Sequence, residues 1–80
     1  MKIKLKLFAT FREFLPEGTD GHSCALDLND GTKVDAVINQ IRLPGDVPKI
    51  ILVNGIQKNA QEVLKDGDTL SIFPPIAGGK

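Results

Sequence analysis

One stretch of this chain commits to a helix. Val34, Val37, Ile38 and Ile41 recur at i, i+3, i+4 and i+7, which predicts one helix over 33–43 with a single apolar stripe. Thr32 stands where it can cap that helix. Asp35, three residues later, can bond back toward the cap and favours the positive end of the helix dipole. Pro44-Gly45 ends the helix and Pro48 bars its resumption. A lone stripe has no second helix to pack on, so the rest of the chain must supply a sheet.

The remaining segments do read as strands. Residues 2–8 place Ile3, Leu5 and Leu7 on one face and Lys2, Lys4, Lys6 and Phe8 on the other; a second strand at 22–29 turns Cys24, Leu26 and Leu28 inward. Pro16 to Gly21 is dense in turn formers and reads as a loop. The unbroken run Ile50-Ile51-Leu52-Val53 predicts a more fully buried strand. Asn54-Gly55 then turns it into a short return strand at 56–59. Val63-Leu64 falls in an irregular connection, Asp66-Gly67-Asp68 in a turn, and Thr69–Phe73 in a last strand with Leu70 and Ile72 inward. The compact arrangement is α+β: one helix across one face of a mixed sheet, with a right-handed crossover. Residues 1–73 form this domain, and 74–80 form an extended tail.

A chain of 80 residues has room for one core and none for an enclosed cofactor cavity. Ten basic and ten acidic side chains cancel, which argues against nucleic acid or anionic membrane as a partner. Lys2, Lys4 and Lys6 share one strand face, where they read as a solvated row that guards a sheet edge. No apolar run approaches the roughly 20 residues of a membrane span, and Met1 to Lys6 alternates charge with apolar residues, unlike a secretory signal. Cytoplasmic residence is the expectation. A single cysteine and a single histidine, Cys24 and His22, make neither a multi-thiolate metal site nor a catalytic triad. No metal and no stably bound cofactor are expected.

The C-terminus is a different kind of segment. Pro74-Pro75 favours an extended path, and Gly78-Gly79 removes side chains where a backbone must enter a narrow site. At roughly 3.1 Å per residue, the stretch from Pro74 to Gly79 reaches about 18 Å from the folded body. In order along the chain come Leu7-Phe8-Ala9-Thr10-Phe11-Arg12-Glu13, the Val53-Asn54-Gly55 hairpin, the Leu64-Lys65-Asp66-Gly67-Asp68 turn and the ending Phe73-Pro74-Pro75-Ile76-Ala77-Gly78-Gly79. Together these resemble the small, sulfur-carrying subunit of molybdopterin synthase over nearly the whole chain. Thiamine sulfur carriers are similar but usually lack the Phe-Pro-Pro ending.

The resemblance implies a ubiquitin-like β-grasp fold, in agreement with the element order above. It also implies that a ubiquitin-activating-like adenylyltransferase uses ATP to adenylate the Gly79 carboxylate, that a sulfur donor displaces AMP, and that the thiocarboxylate then acts inside the large synthase subunit. Gly79 would be the reactive residue, Pro74, Pro75, Ile76, Ala77 and Gly78 the inserted tail, and the chain a carrier and not an enzyme. A thiamine-type sulfur carrier and a ubiquitin-like protein modifier, the latter joined through Gly79 to a target lysine, are the alternatives. Phe8 and Phe73 share the outer-face parity of their strands near the tail and are candidate partner anchors. Arg12 is a candidate docking residue or a surface ion-pair partner of Glu13 or Glu17. Lys80 departs from the resemblance, because it locks Gly79 in a peptide bond. Its removal, or its being an appended residue, is expected.

Overall fold

The computed structural model describes residues 1–16, 21 and 23–75. Period-two alternation becomes β1 (Lys2–Leu7), β2 (Ser23–Asp27) and β5 (Thr69–Phe73), and the apolar run becomes β3 (Ile50–Val53) with its short return β4 (Ile56–Gln57). These strands make one sheet in the order β2-β1-β5-β3-β4. β1 and β5 run parallel, while the β1–β2, β3–β5 and β3–β4 pairs are antiparallel. Ile3, Leu5, Leu7, Ile51, Val53, Leu70 and Ile72 are buried on the inner face, in one cluster with Val34, Val37 and Ile38 of the helix α1 (Val34–Gln40). Each such side chain contributes about 1.5–3 kcal/mol by leaving water. Cys24 and Leu26 pair with Leu5 and Ile3 on the same inner face, half-buried at the sheet margin.

The helix is shorter than its apolar pattern predicts and begins differently. Its N-cap is Lys33, with no side-chain cap bond, and the Thr32 hydroxyl instead donates to the Asn29 carbonyl at 2.6 Å. The expectation of a Thr32 cap is therefore corrected. A neighbouring loop meets the need that the cap would have met: Val34 and Asp35 donate their backbone N–H groups to the Glu62 and Ala60 carbonyls at 3.0 and 2.9 Å. At the other end, Arg42 adopts φ 65°. Its N–H bonds to the Asn39 carbonyl and that of Leu43 to the Ile38 carbonyl, both at 3.1 Å. This Schellman ending stops the helix ahead of Pro44-Gly45 and returns Leu43 to the core.

Two turns are joined by side-chain bonds. Asn54 (φ 54°) and Gly55 (φ 83°) form the β3–β4 turn with both residues left-handed. The Asn54 amide donates to Asp68 Oδ1 and its oxygen accepts the Thr69 N–H, each at 2.9 Å. Asp68 Oδ2 accepts the Lys65 N–H at 2.8 Å, and Asp66 Oδ1 accepts the Lys2 N–H at 2.7 Å. The acidic turn thus fastens β5 to both β1 and the hairpin.

The sheet order overturns one expectation. β1 lies between β2 and β5, so Lys2, Lys4 and Lys6 do not guard an edge.

Candidate functional site

β1 and β5 end side by side, with Leu7 paired to Ile72, and the residues just beyond them build an apolar surface. Phe8 and Phe73 meet edge to face with ring centroids 5.7 Å apart, a favoured geometry for aromatic pairs. Ala9 and Pro74 complete a hollow of about 310 Å³ with them. Both rings are half-buried, in keeping with their outer-face parity. Across the β3–β5 pair Ile50 stands opposite Phe73 and Leu52 opposite Ser71, so two half-buried aliphatic residues extend the apolar surface on the same face.

Ala9 shapes the hollow. Its φ of 54° swings the chain out of β1 and into a 3-10 helix, Ala9–Phe14, which buries Phe11 beside the sheet. Nothing in the sequence marks this position, since an alanine with positive φ is uncommon. Ile50 and Leu52 were legible in principle. A strand without polar alternation has an apolar second face, and here that face is not covered by the rest of the fold.

The structure brings together Phe8, Phe73 and Pro74 from the sequence-derived candidates, with Pro75 exposed next to them. Arg12 does not line the hollow. Its guanidinium donates to the Gly21 carbonyl at 3.5 Å and makes no ion pair with Glu13. Glu17 and His22, and the tail residues Ile76, Ala77, Gly78, Gly79 and Lys80, lie outside the described residues. Burial holds the Cys24 thiol above its usual pKa, which disfavours the nucleophilic thiolate. Among the described residues every fully buried side chain is apolar, so the chemistry-bearing positions are at the surface. No helix among them is long and apolar enough to cross a membrane.

This five-stranded mixed sheet with one crossing helix and a Pro-Pro exit defines a small ubiquitin-like β-grasp protein. The ThiS family profile matches residues 5–79, and the chain belongs to that family. It is a family of small ubiquitin-like sulfur carriers and modifiers. The chain is 30% identical over 96 residues to small archaeal modifier protein 3 of Haloferax volcanii, with 99% of this chain and 100% of that protein covered. It is similar to the putative molybdopterin converting factor subunit 1 of Pyrococcus furiosus at 31% identity and a TM-score of 0.72, over 94% of this chain and 98% of that one. The complex of subunits 1 and 2 of molybdopterin-converting factor from Helicobacter pylori contains the same fold, with a TM-score of 0.63 at 22% identity over 99% of this chain and 100% of that one. At that identity the likeness is one of fold.

Proposed function

We propose that this chain is the sulfur carrier of a molybdopterin synthase, with Gly79 as the residue that carries the sulfur. The observation behind this reading is the hollow of Phe8, Ala9, Phe73 and Pro74, placed at the root of a segment that carries Gly78-Gly79 followed by Lys80. A partner that grips the hollow holds the tail in a fixed direction, and two residues without side chains can then enter a narrow catalytic channel. The similarity to the Pyrococcus furiosus protein favours the molybdopterin assignment. The complex formed by the Helicobacter pylori subunits favours a large synthase subunit as one partner.

The chemistry divides between carrier and partners. Hydrolysis of the Gly79–Lys80 peptide bond first frees the Gly79 carboxylate; a carboxylate is a poor electrophile, so an adenylyltransferase then joins its oxygen to the α-phosphorus of ATP and releases pyrophosphate. Hydrosulfide-level sulfur attacks the acyl carbon and AMP departs, leaving a thiocarboxylate. Its sulfur attacks a carbon of a pterin precursor in the large subunit and displaces the group that carbon bore, and water then cleaves the acyl–sulfur bond, leaving the sulfur on the pterin and returning the Gly79 carboxylate. The carrier contributes reach and slenderness, the partners contribute charge stabilisation and acid–base groups, and ATP is used by the activating partner. Cytoplasmic residence suits both partners. Pro75, Ile76 and Ala77 serve as the stem of the tail, and Arg12 serves as a secondary contact beside the first strand.

A second reading shares the first step. Similarity to small archaeal modifier protein 3 favours transfer of activated Gly79 to a lysine of another protein. Intact-mass measurement separates the two, using purified chains that end at Gly79 and at Lys80 with the activating enzyme, ATP and a sulfide source. The chain ending at Gly79 should gain the mass of one sulfur-for-oxygen exchange, and the chain ending at Lys80 should not, because its Gly79 has no free carboxylate. Ladders on other proteins would support the modifier. Activation of the longer chain with Lys80 retained would sink Gly79 as the reactive residue.

A further inference from the structure

The lysine row of β1 lacks the explanation that its sequence first offers. Lys2, Lys4 and Lys6 lie on an interior strand, so they repel no edge-pairing neighbour and stand instead on the solvent-facing side of a sheet whose other face carries the core. The registers on either side are informative. Lys4 stands between Ala25 of β2 and Thr69 of β5, and Lys6 between Ser23 and Ser71. All four flanking residues are small. The two ammonium groups therefore rise above a low floor, which deepens into a depression of about 520 Å³ beside Lys2, Lys4, Ala25 and Thr69.

No carboxylate among the described residues forms an ion pair with Lys4 or Lys6. Lys2 alone has one, Asp27 at 3.9 Å with both side chains largely exposed. Asp66, which also borders the depression, accepts a backbone N–H from Lys2. The molecule is neutral overall, whereas among the described residues this face sets Lys2, Lys4 and Lys6 against the carboxylates of Asp27 and Asp66. Continuing along β1 on the same face, the residue after Lys6 is Phe8, whose ring meets Phe73. Successive same-face positions are about 6.7 Å apart, so charge gives way to the apolar hollow within one step of the pleat.

We infer that Lys4 and Lys6 form an electrostatic guide for the partner that occupies the Phe8–Phe73 hollow, and that this partner presents carboxylates beside the apolar group it inserts. The inference rests on the docking surface proposed above and adds the partner's charge. Rim charges of this kind act on the rate of encounter more than on dissociation, and their effect fades as salt screens them. An apolar anchor acts on dissociation.

Stopped-flow binding to the large synthase subunit of the same organism, at low and high sodium chloride, tests the division. The protein as it stands should associate faster at low salt. Lys4→Ser combined with Lys6→Ser should slow association about 3- to 10-fold at low salt, within the range of electrostatic steering, converge with the unmodified protein at high salt, and leave dissociation and the melting temperature unchanged. Phe73→Ala should raise dissociation and keep the salt dependence. An unchanged salt dependence in the double lysine variant would overturn the guide while leaving the hollow in place. Failure of the unmodified protein to bind the subunit at any salt would overturn the docking surface, and the guide with it. Binding of the lysine row to duplex DNA or phosphatidylserine vesicles, with no effect on the subunit, would also count against it.

Discussion

Asn54 shows how much one side chain can be asked to do. It takes a left-handed backbone at the β3–β4 turn and at the same time bridges that turn to Asp68 and Thr69. Alanine at this position loses both bonds and is strained at positive φ. Asn54→Ala should destabilise the fold by about 2 kcal/mol, the partly exposed setting keeping the loss below that of a buried network. Asn54→Gly relieves the backbone and removes only the bonds, so about 1 kcal/mol is expected. Urea unfolding of the two variants measures each contribution, and equal losses would mean that the backbone conformation carries no cost. The pair also explains why Asn54-Gly55 and Asp66-Gly67-Asp68 are legible in the sequence as turns but not as partners. Turn chemistry is local, whereas their contact spans |i−j| = 14.

At the scale of the element, the helix illustrates where periodic reading stops. Val34, Val37 and Ile38 are buried as their spacing demands, but both ends are decided by backbone groups that no pattern announces. The loop at 60–62 accepts the first helical N–H groups, and Arg42 rather than a glycine takes the left-handed closing position. Lys33→Ser, which would normally gain about 1 kcal/mol as a new N-cap, should change stability by less than about 0.5 kcal/mol because the donors it would serve are already bonded. Asn59→Ala should cost about 1 kcal/mol, since Asn59 Oδ1 holds the Gln61 N–H at 2.8 Å and so shapes the loop that caps the helix. Thermal melts of both variants decide the matter. A clear gain for Lys33→Ser would show that the loop carbonyls do not satisfy the helix. The strands were more fully legible than the helix ends, because alternation records which face is buried, while their order across the sheet depends on contacts between distant segments. That is why the lysines of β1 could be assigned a face but not an interior position.

Across the whole molecule, the core and the proposed docking surface lie on opposite faces of one sheet. The inner face carries Leu5, Leu70 and Ile72 with no exposure, and the outer face carries the two half-buried rings with Ile50 and Leu52. Phe8→Ala and Phe73→Ala should therefore leave a cooperative unfolding transition while weakening large-subunit binding by about 2 kcal/mol each if the rings are hot-spot anchors. Calorimetric titration with unchanged affinity for both variants would remove them from the interface. Of this surface, the aromatic residues were legible from parity and the tail from its composition, but the hollow itself depends on the turn at Ala9, which leaves no trace in residue type. In the sulfur-carrier reading proposed above, a partner grips the tail at its root. Pro74 follows directly from β5, which is hydrogen-bonded to β1 on one side and β3 on the other. Tension along β5 therefore loads two ladders in shear at once, where an outermost strand would load only one, so a partner that tugs the C-terminus works against both neighbours of β5.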